Sequence, residues 1–474
     1  MTTSPQSPRQ AAIIGAGPNG LAAAITLAQR GLRVDVFEAQ PQPGGAARTL
    51  PLTLPGFLHD FGSAVHPLAA GSPFFSSLPL QAYGLDWIHS PAPLAHPLDD
   101  GTAVTLERDL RDAESALGPD GKRWRRLLHP FVERWPALSA EILRPLHIVT
   151  PHPFLLARFG FCAFPSAKTL SHLFRSHRTK ALFAGLAAHS FLSLDAPLSA
   201  AFAILLGAAA HAVGWPIPQG GAQSITNALC AHLATLGGAV QTSTQVEDLS
   251  ALKGYAAILC DVTPRQLLRI ARNRFPTRFA RRLAKFRYGP GVFKVDYALR
   301  SPIPWKAADC ARAATVHLGG SFGEIAASES DVSQGRHSDR PFVLLAQPSL
   351  FDTTRAPEGK HTAWAYCHVP NGSTVGMLEP LESQIERFAP GFRDCILARH
   401  IFSPAALEAM DANLIGGDIS GGAMDITQFF FRPTWRRYAT PDPRIYLCSS
   451  STPPGGGVHG MCGHHAANRA ASGQ

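Results

Sequence analysis

Gly15, Gly17 and Gly20 stand at the spacing of a G-x-G-x-x-G turn, and Glu38 follows 18 residues after the last of them. Backbone without side chains can approach a pyrophosphate closely. The free N–H groups and positive dipole end of a helix starting there attract the phosphates. Gly15 permits the tight turn, Gly17 lets the backbone reach the phosphates, and Pro18 and Asn19 open the helix. Gly20 lets that helix pack closely on a sheet. A carboxylate in the place of Glu38 accepts hydrogen bonds from ribose hydroxyls. A glycine triplet alone also makes ordinary turns, so the elements around it decide its meaning.

Those elements form a complete β-α-β unit. Ala11 to Ile14 is a short apolar strand, Leu21 to Arg30 a helix stopped by Gly31, and Leu32 to Phe37 a second strand ending at Glu38. The whole pattern predicts a dinucleotide site. Beyond it lie Gly44 and Gly45, then Ala46, Ala47, Arg48 and Thr49, and further on Asp60-Phe61-Gly62. A second glycine pair and an arginine so near the ribose acid suit a longer cofactor whose other half runs past this loop. Arg48 is a fixed cation with several donors, fitted to pyrophosphate or ribose oxygens; its structural alternative is an ion pair.

Together these segments resemble the FAD-binding signature of the phytoene desaturase and amine oxidase superfamily. The resemblance implies FAD as cofactor, held by Gly15, Gly17, Pro18, Asn19, Gly20, Glu38, Ala39, Gly45, Ala46, Arg48 and Gly62. In disulfide reductases a redox cysteine pair follows the corresponding glycines. Here the first cysteine is Cys162, so that chemistry is disfavoured.

Two later segments resemble the returns of such proteins to the cofactor domain. After Gly220, Gly221 and Gln223 a helix runs to about Leu236, followed by Ala239 to Val246 and the apolar strand Tyr255 to Cys260, which ends at Asp261. The resemblance sets Val246 against the adenine through its backbone and Gly220, Gly221 and Gln223 on the substrate side of the flavin. An independent β-α-β packing unit is the alternative. Near the C-terminus, Arg444 to Cys448 is a strand, and Gly455, Gly457 and Gly460 formally repeat the glycine pattern. No second strand or ribose acid follows, so a second nucleotide site is not expected. By resemblance this is the closing flavin loop, with Gly456, Gly457 and Val458 facing the ring. Ser449 stands where relatives carry glycine. The run Ile415 to Ala423, with Phe429 to Pro433, resembles the branch of pyridine nucleotide-disulfide oxidoreductase domain-containing protein 2.

Between the cofactor segments, Gly291 to Leu299 alternates, with Phe293, Val295, Tyr297 and Leu299 on one side and Val292, Lys294, Asp296 and Ala298 on the other. With strands at Phe342 to Gln347 and Thr362 to His368, it predicts a sheet half-buried on one face. Helices at Trp124 to Trp135 and Glu379 to Phe388 are expected to cover it. The resemblance makes this sheet the floor of a substrate cavity, although apolar residues there are more often plain core. The predicted class is α/β: a discontinuous Rossmann-like FAD-binding domain, with an α+β substrate domain built on a mixed or antiparallel sheet. The FAD domain takes residues 1–72, 216–275 and 420–474; the substrate domain takes 73–215 and 276–419.

Length and composition agree with this plan. The 474 residues suffice for two domains, 45% are hydrophobic, and the formal charge is +9. Eight scattered cysteines without a C-x-x-C pair exclude zinc spacing and point to a reducing, cytoplasmic setting. No metal site is expected. Met1 to Gln10 is a polar leader without the apolar core of a secretory signal, and the next strand begins too early for a transit peptide. Ala196 to Val213 approaches the length of a membrane span, but its small residues suit a buried helix better. From Arg265 to Arg287 there are nine Arg or Lys and no acid. This is a solvated basic face or, on a sharper reading, a peripheral contact with anionic lipid; nucleic acid is disfavoured for want of a reading motif.

The expected function is FAD-dependent oxidation or reduction of a small lipophilic substrate, by C–C desaturation, saturation or polyene isomerisation. With no separate NAD(P) unit visible, oxygen or a quinone is the expected electron partner. The alternatives are a flavin amine oxidase, marked by an aromatic cage, and a flavin-bound scaffold without turnover. His66, His211 and His459 lie beside the cofactor motifs and are candidates for moving a proton.

Overall fold

The computed structural model describes residues 9–146 and 149–472. The first eight residues of the polar leader lie outside the described residues. Two sheets organise the chain. The first has five strands in the order Ile445–Leu447, Ala257–Cys260, Gln10–Ile14, Arg33–Phe37 and Ala239–Gln241, every neighbouring pair parallel. Its strands therefore come from three separated stretches of sequence. Strands such as Ala257–Cys260 are apolar throughout because helices cover both faces of a parallel sheet. Parallel neighbours need crossovers. Pro18–Ala28 supplies one, and Gln223–Thr235 returns the chain to the edge strand. All five strands end on the same side, where the crevice of such a sheet receives its ligand.

The second sheet has seven strands, ordered Ile396–Phe402, Gly291–Leu299, His361–Val369, Val343–Ala346, Ala313–Leu318, Ala92–Pro97 and Ala103–Leu106. It is mixed: Ala313–Leu318 runs parallel to Ala92–Pro97 and the other pairs are antiparallel. The expected half-buried sheet needs correction, because all nine residues of Gly291–Leu299 are buried. On one face Phe293, Val295, Tyr297 and Leu299 join Leu381, Ile385 and Phe388 of the helix Leu378–Phe388 in a single cluster. On the other face Lys294 and Asp296 neutralise one another and a cavity replaces solvent.

The helical cover is also divided differently from the expected Trp124 to Trp135 stretch. One helix spans Gly121–Val132 and another Trp135–Ile142, the second started by Pro136 in its first turn. The Ala-rich segment forms Ser199–Ala212, packed within the core through Ala203, Ile204 and Ala208. At 1.5 Å per residue it is about 21 Å long, shorter than the roughly 30 Å hydrocarbon core of a bilayer. Among the described residues no helix is long and apolar enough to cross a membrane. All eight cysteines are free.

Candidate active site

The ends of the parallel strands gather the glycine segments around one cavity. Gly17, Pro18 and Asn19 line it together with Gly45, Ala46 and Gly62, and with Gly456, Gly457 and Val458. Asn19 Nδ2 donates to Ser450 Oγ at 3.3 Å, which ties the first turn to the segment before the last one. Gly20 sits beneath the first turn. A Cβ there would lie 2.0 Å from the Gly15 carbonyl oxygen, so no side chain is tolerated without moving the turn. The Gly20 amide donates to Asp261 Oδ2 at 2.8 Å. Gly17 caps the helix Pro18–Ala28 without a side-chain bond, leaving the start of the helix open to the cavity.

Glu38 shapes the same turn. Its Oε2 accepts from the Ala16 amide at 2.7 Å and its Oε1 from the Gln40 amide at 2.9 Å. Ala39 is exposed just beyond it. Val246 packs, partly buried, on the cluster containing Leu249 and Ile258, and the Thr244 amide before it donates to the Glu38 carbonyl at 2.7 Å. Glu38, Ala39 and Val246 therefore cluster at the sheet edge beside the cavity rather than in its wall. Arg48 also stays out of the wall. Its guanidinium lies over Phe61 and donates to the carbonyls of Gly45 and Met410, so it braces the second glycine loop instead of reaching into open space. Arg432 does the same for the last loop, donating to the Gly421 and Ser450 carbonyls. Ser449 fills its turn by donating to the Val262 carbonyl.

Four residues beside these turns leave buried polar atoms unpartnered: Asn19 Oδ1, Ser63 Oγ, Ser451 Oγ and both ring nitrogens of His66. All four line the cavity. Buried polar groups in folded proteins are almost always satisfied. A ligand rich in phosphate oxygens, hydroxyls and heteroaromatic nitrogens fits both the bare glycine backbone and these orphaned atoms. The residues present fit a flavin dinucleotide.

Two acids missed in the sequence reading lie at this end. Burial pushes Asp261 up to about 8, aided by Asp411 and Glu38 and opposed by the Gly20 amide. Burial raises Asp411 as well, against the Asn413 amide and Arg48. Asp261 was detectable: it closes its apolar strand as Glu38 closes the neighbouring one.

Farther in, the wall becomes aromatic and aliphatic, with Phe191, Phe202, Leu206 and Trp215 from the helical side and Leu344, Trp364 and Tyr366 from the sheet. Lys294, also missed, lines this part. It donates to Asp296, and burial lowers its pKa against the pull of that carboxylate. Beneath it Arg355 and Asp60, both wholly buried, pair at 2.8 Å. Against the upward push of burial, Arg355 and the Ala222 amide hold Asp60 below the usual carboxylate range.

This network corrects one expectation. Gly220, Gly221 and Gln223 do not line the cavity. The Gly220 amide donates to Asp352, the Ala222 amide to Asp60, and Gln223 bonds to Gln42 and the Pro43 carbonyl, so the turn supports the glycine loops from behind. Of the three histidines only His66 lines the cavity, and burial pushes it down to about 4. His211 accepts from Trp124 Nε1 at 2.9 Å within the helical layer. His459 accepts from the Met461 amide at the start of the last helix. These two are structural because protein partners already occupy them.

Comparison with known proteins accords with this geometry. Residues 13–75 match the model of an NAD(P)-binding Rossmann-like domain. Pyridine nucleotide-disulfide oxidoreductase domain-containing protein 2 of Mus musculus is 26% identical, over 97% of this chain and 92% of its own. The phytoene desaturase (neurosporene-forming) of Rhodobacter capsulatus is 23% identical, over 96% of this chain and 92% of its own. Among solved structures, an oxidoreductase from Methanosarcina mazei shares the fold with a TM-score of 0.63 and 16% identity, covering 96% of this chain and 99% of its own. A triple mutant of putrescine oxidase does so with a TM-score of 0.61 and 16% identity, covering 98% of each chain. Over nearly its whole length the chain is similar to pyridine nucleotide-disulfide oxidoreductase domain-containing protein 2 and to a phytoene desaturase, and it shares the fold of an amine oxidase-type structure.

Proposed function

We propose that the protein is an FAD-dependent oxidoreductase that desaturates, saturates or isomerises C–C bonds of a lipophilic substrate. The observation that carries this reading is the continuity of one cavity, glycine-lined at one end and aromatic and aliphatic at the other. When bound, the flavin supplies acceptance of a hydride from carbon. The chain's own residues do the rest. The three glycine segments hold the dinucleotide, and Glu38 holds the first turn in shape through the Ala16 amide. Phe191, Phe202, Leu206 and Trp215 exclude water from the substrate end, while His66, neutral at physiological pH, is free to exchange a proton.

An amine oxidase of the same fold is the second reading, favoured by the aromatic pair Trp364 and Tyr366 in the floor. Their rings stack with centroids 5.6 Å apart, which leaves no gap for a substrate between them. The carboxylates lining the cavity, Asp261, Asp411 and Asp418, belong to the glycine end. An ammonium substrate would instead meet Lys294, so the lipophilic reading is preferred.

Oxygen or a quinone is the proposed electron acceptor. The basic run from Arg265 to Arg287 is the proposed contact with anionic lipid. Its apolar residues Leu267, Ile270, Phe279 and Leu283 point into the core, so that contact would be electrostatic and salt-sensitive. The test is to purify the protein with FAD and record its flavin absorbance, then mix it anaerobically with lipid and amine extracts. Bleaching by lipid but not by amines is expected. A protein that retains no FAD, or is bleached only by amines, overturns the reading.

A further inference from the structure

We propose that the substrate carries a carbonyl-type oxygen, which accepts a hydrogen bond from His189 in the wall of the cavity. The inference deepens the lipophilic-substrate reading above and rests on it.

His189 closes the helix His177–Ala188, is half-buried and lines the cavity. Its Nε2 lies 3.0 Å from Nε2 of His317, on the strand Ala313–Leu318. Two neutral imidazoles in that contact share one proton, so one ring donates and the other accepts. The buried surroundings decide which. His317 Nδ1 has no partner, and it lies so close to Gly185 that a Cβ there would be 2.6 Å away. An orphaned buried N–H is rarer than a spare lone pair. His317 therefore keeps its proton on Nε2 and donates it, leaving Nδ1 as the bare lone pair. His189 accepts at Nε2 and must carry its own proton on Nδ1. That N–H has no acceptor among the described residues. Burial pushes His189 down to about 3 and His317 well below its ordinary range, so both rings stay neutral at physiological pH.

Another polar atom of this wall agrees. The Thr315 hydroxyl, on the same strand and face as His317, also lines the cavity and is unpartnered. A hydrocarbon would leave these donors unanswered, and an amine would bring more donors. A ketone, aldehyde, ester or acid oxygen answers them. Lys294, Tyr366, Leu344 and His317 form one row across neighbouring strands. Three strand spacings separate its ends by about 14 Å, so the His189–His317 pair and Lys294 lie at opposite ends of this row.

The experiment titrates the FAD-loaded protein with decane, 2-decanone and decylamine, reading the perturbation of flavin absorbance and tryptophan fluorescence. The ketone is expected to bind about tenfold more tightly than decane, as one net hydrogen bond provides. In His189→Phe that preference should fall to near unity with decane affinity unchanged. His189→Gln, which retains an N–H, should keep most of it, and flavin content reports whether either variant folds. Equal affinity for ketone and alkane in the native protein, or an undiminished preference in His189→Phe, overturns the inference alone. Perturbation by decylamine only, or by none of the three, defeats the lipophilic reading and this inference with it.

Discussion

The five-stranded and seven-stranded sheets face the same cavity but support it by different means. The parallel sheet presents backbone: bare glycine turns and an open helix start, held by local contacts such as Glu38 with Ala16. The mixed sheet presents side chains, and some are held by partners far away in sequence, as His317 is by His189. Recognition of a common cofactor can rest on backbone geometry that any chain with the right glycines adopts. Recognition of a particular substrate depends on a jigsaw of distant residues, and here it is built on buried, neutral histidines.

Acid should separate the two regions most strongly. Burial holds His59 and His189 at about 3 and His96 and His211 at about 4 in the second region, whereas the first contributes His66, His459 and His465 at about 4. Each is neutral when folded and takes up a proton below about 6.5 when unfolded. Their stabilisation is complete above that pH and lost as pH falls toward 3 to 4, by about 1.4 kcal/mol per pH unit per histidine. Fluorescence of Trp124, Trp135, Trp215 and Trp364 should therefore change at higher pH than flavin is released. Flavin loss preceding the tryptophan change would break the comparison.

Arg355→Met removes one member of a fully buried pair. It should cost about 3–5 kcal/mol in urea unfolding, because Asp60 is left uncompensated. A cost below about 1 kcal/mol would mean that the pair does not join the two regions. Gly20→Ala should cost about 1–3 kcal/mol from overpacking. It should also lower flavin retention at purification while the near-ultraviolet signal of the tryptophans stays native. If the tryptophan environment changed as well, the two regions would not be separable. The smallest effect belongs to the surface: replacing Arg281 and Arg282 by Glu should alter stability by less than about 0.5 kcal/mol. The same change should weaken cosedimentation with anionic vesicles. Unaltered cosedimentation would remove the proposed lipid contact and leave the basic run as a solvated face.

The first region was legible in the sequence because its signals are local. The glycine spacing, the strand lengths and Glu38 lie within 28 residues of Gln10, the start of the first strand, and each predicts a backbone geometry by itself. Arg48 was less legible. Its type suits phosphate and carbonyl oxygens equally, and only the position of Met410 shows that carbonyls claim it. In the second region the period-two pattern of Gly291–Leu299 identified a strand and its two faces. It could not reveal that Lys294 faces a cavity and pairs with a buried Asp296, since alternation with polar residues reads the same whether the polar face meets water or a buried partner. Gly220, Gly221 and Gln223 were misplaced for a related reason: a glycine pair marks a turn without stating which side of a loop it supports.

By itself, then, the sequence determined a parallel nucleotide-type sheet, its glycine turns and the strands of a second sheet, because propensity, period and φ/ψ freedom act over a few residues. The tertiary structure alone decided that His66 opens onto the cavity while His211 and His459 are already engaged, and that His189 meets His317. Those facts depend on contacts between residues up to hundreds of positions apart, where burial and the satisfaction of buried polar groups choose among partners that local chemistry leaves equivalent.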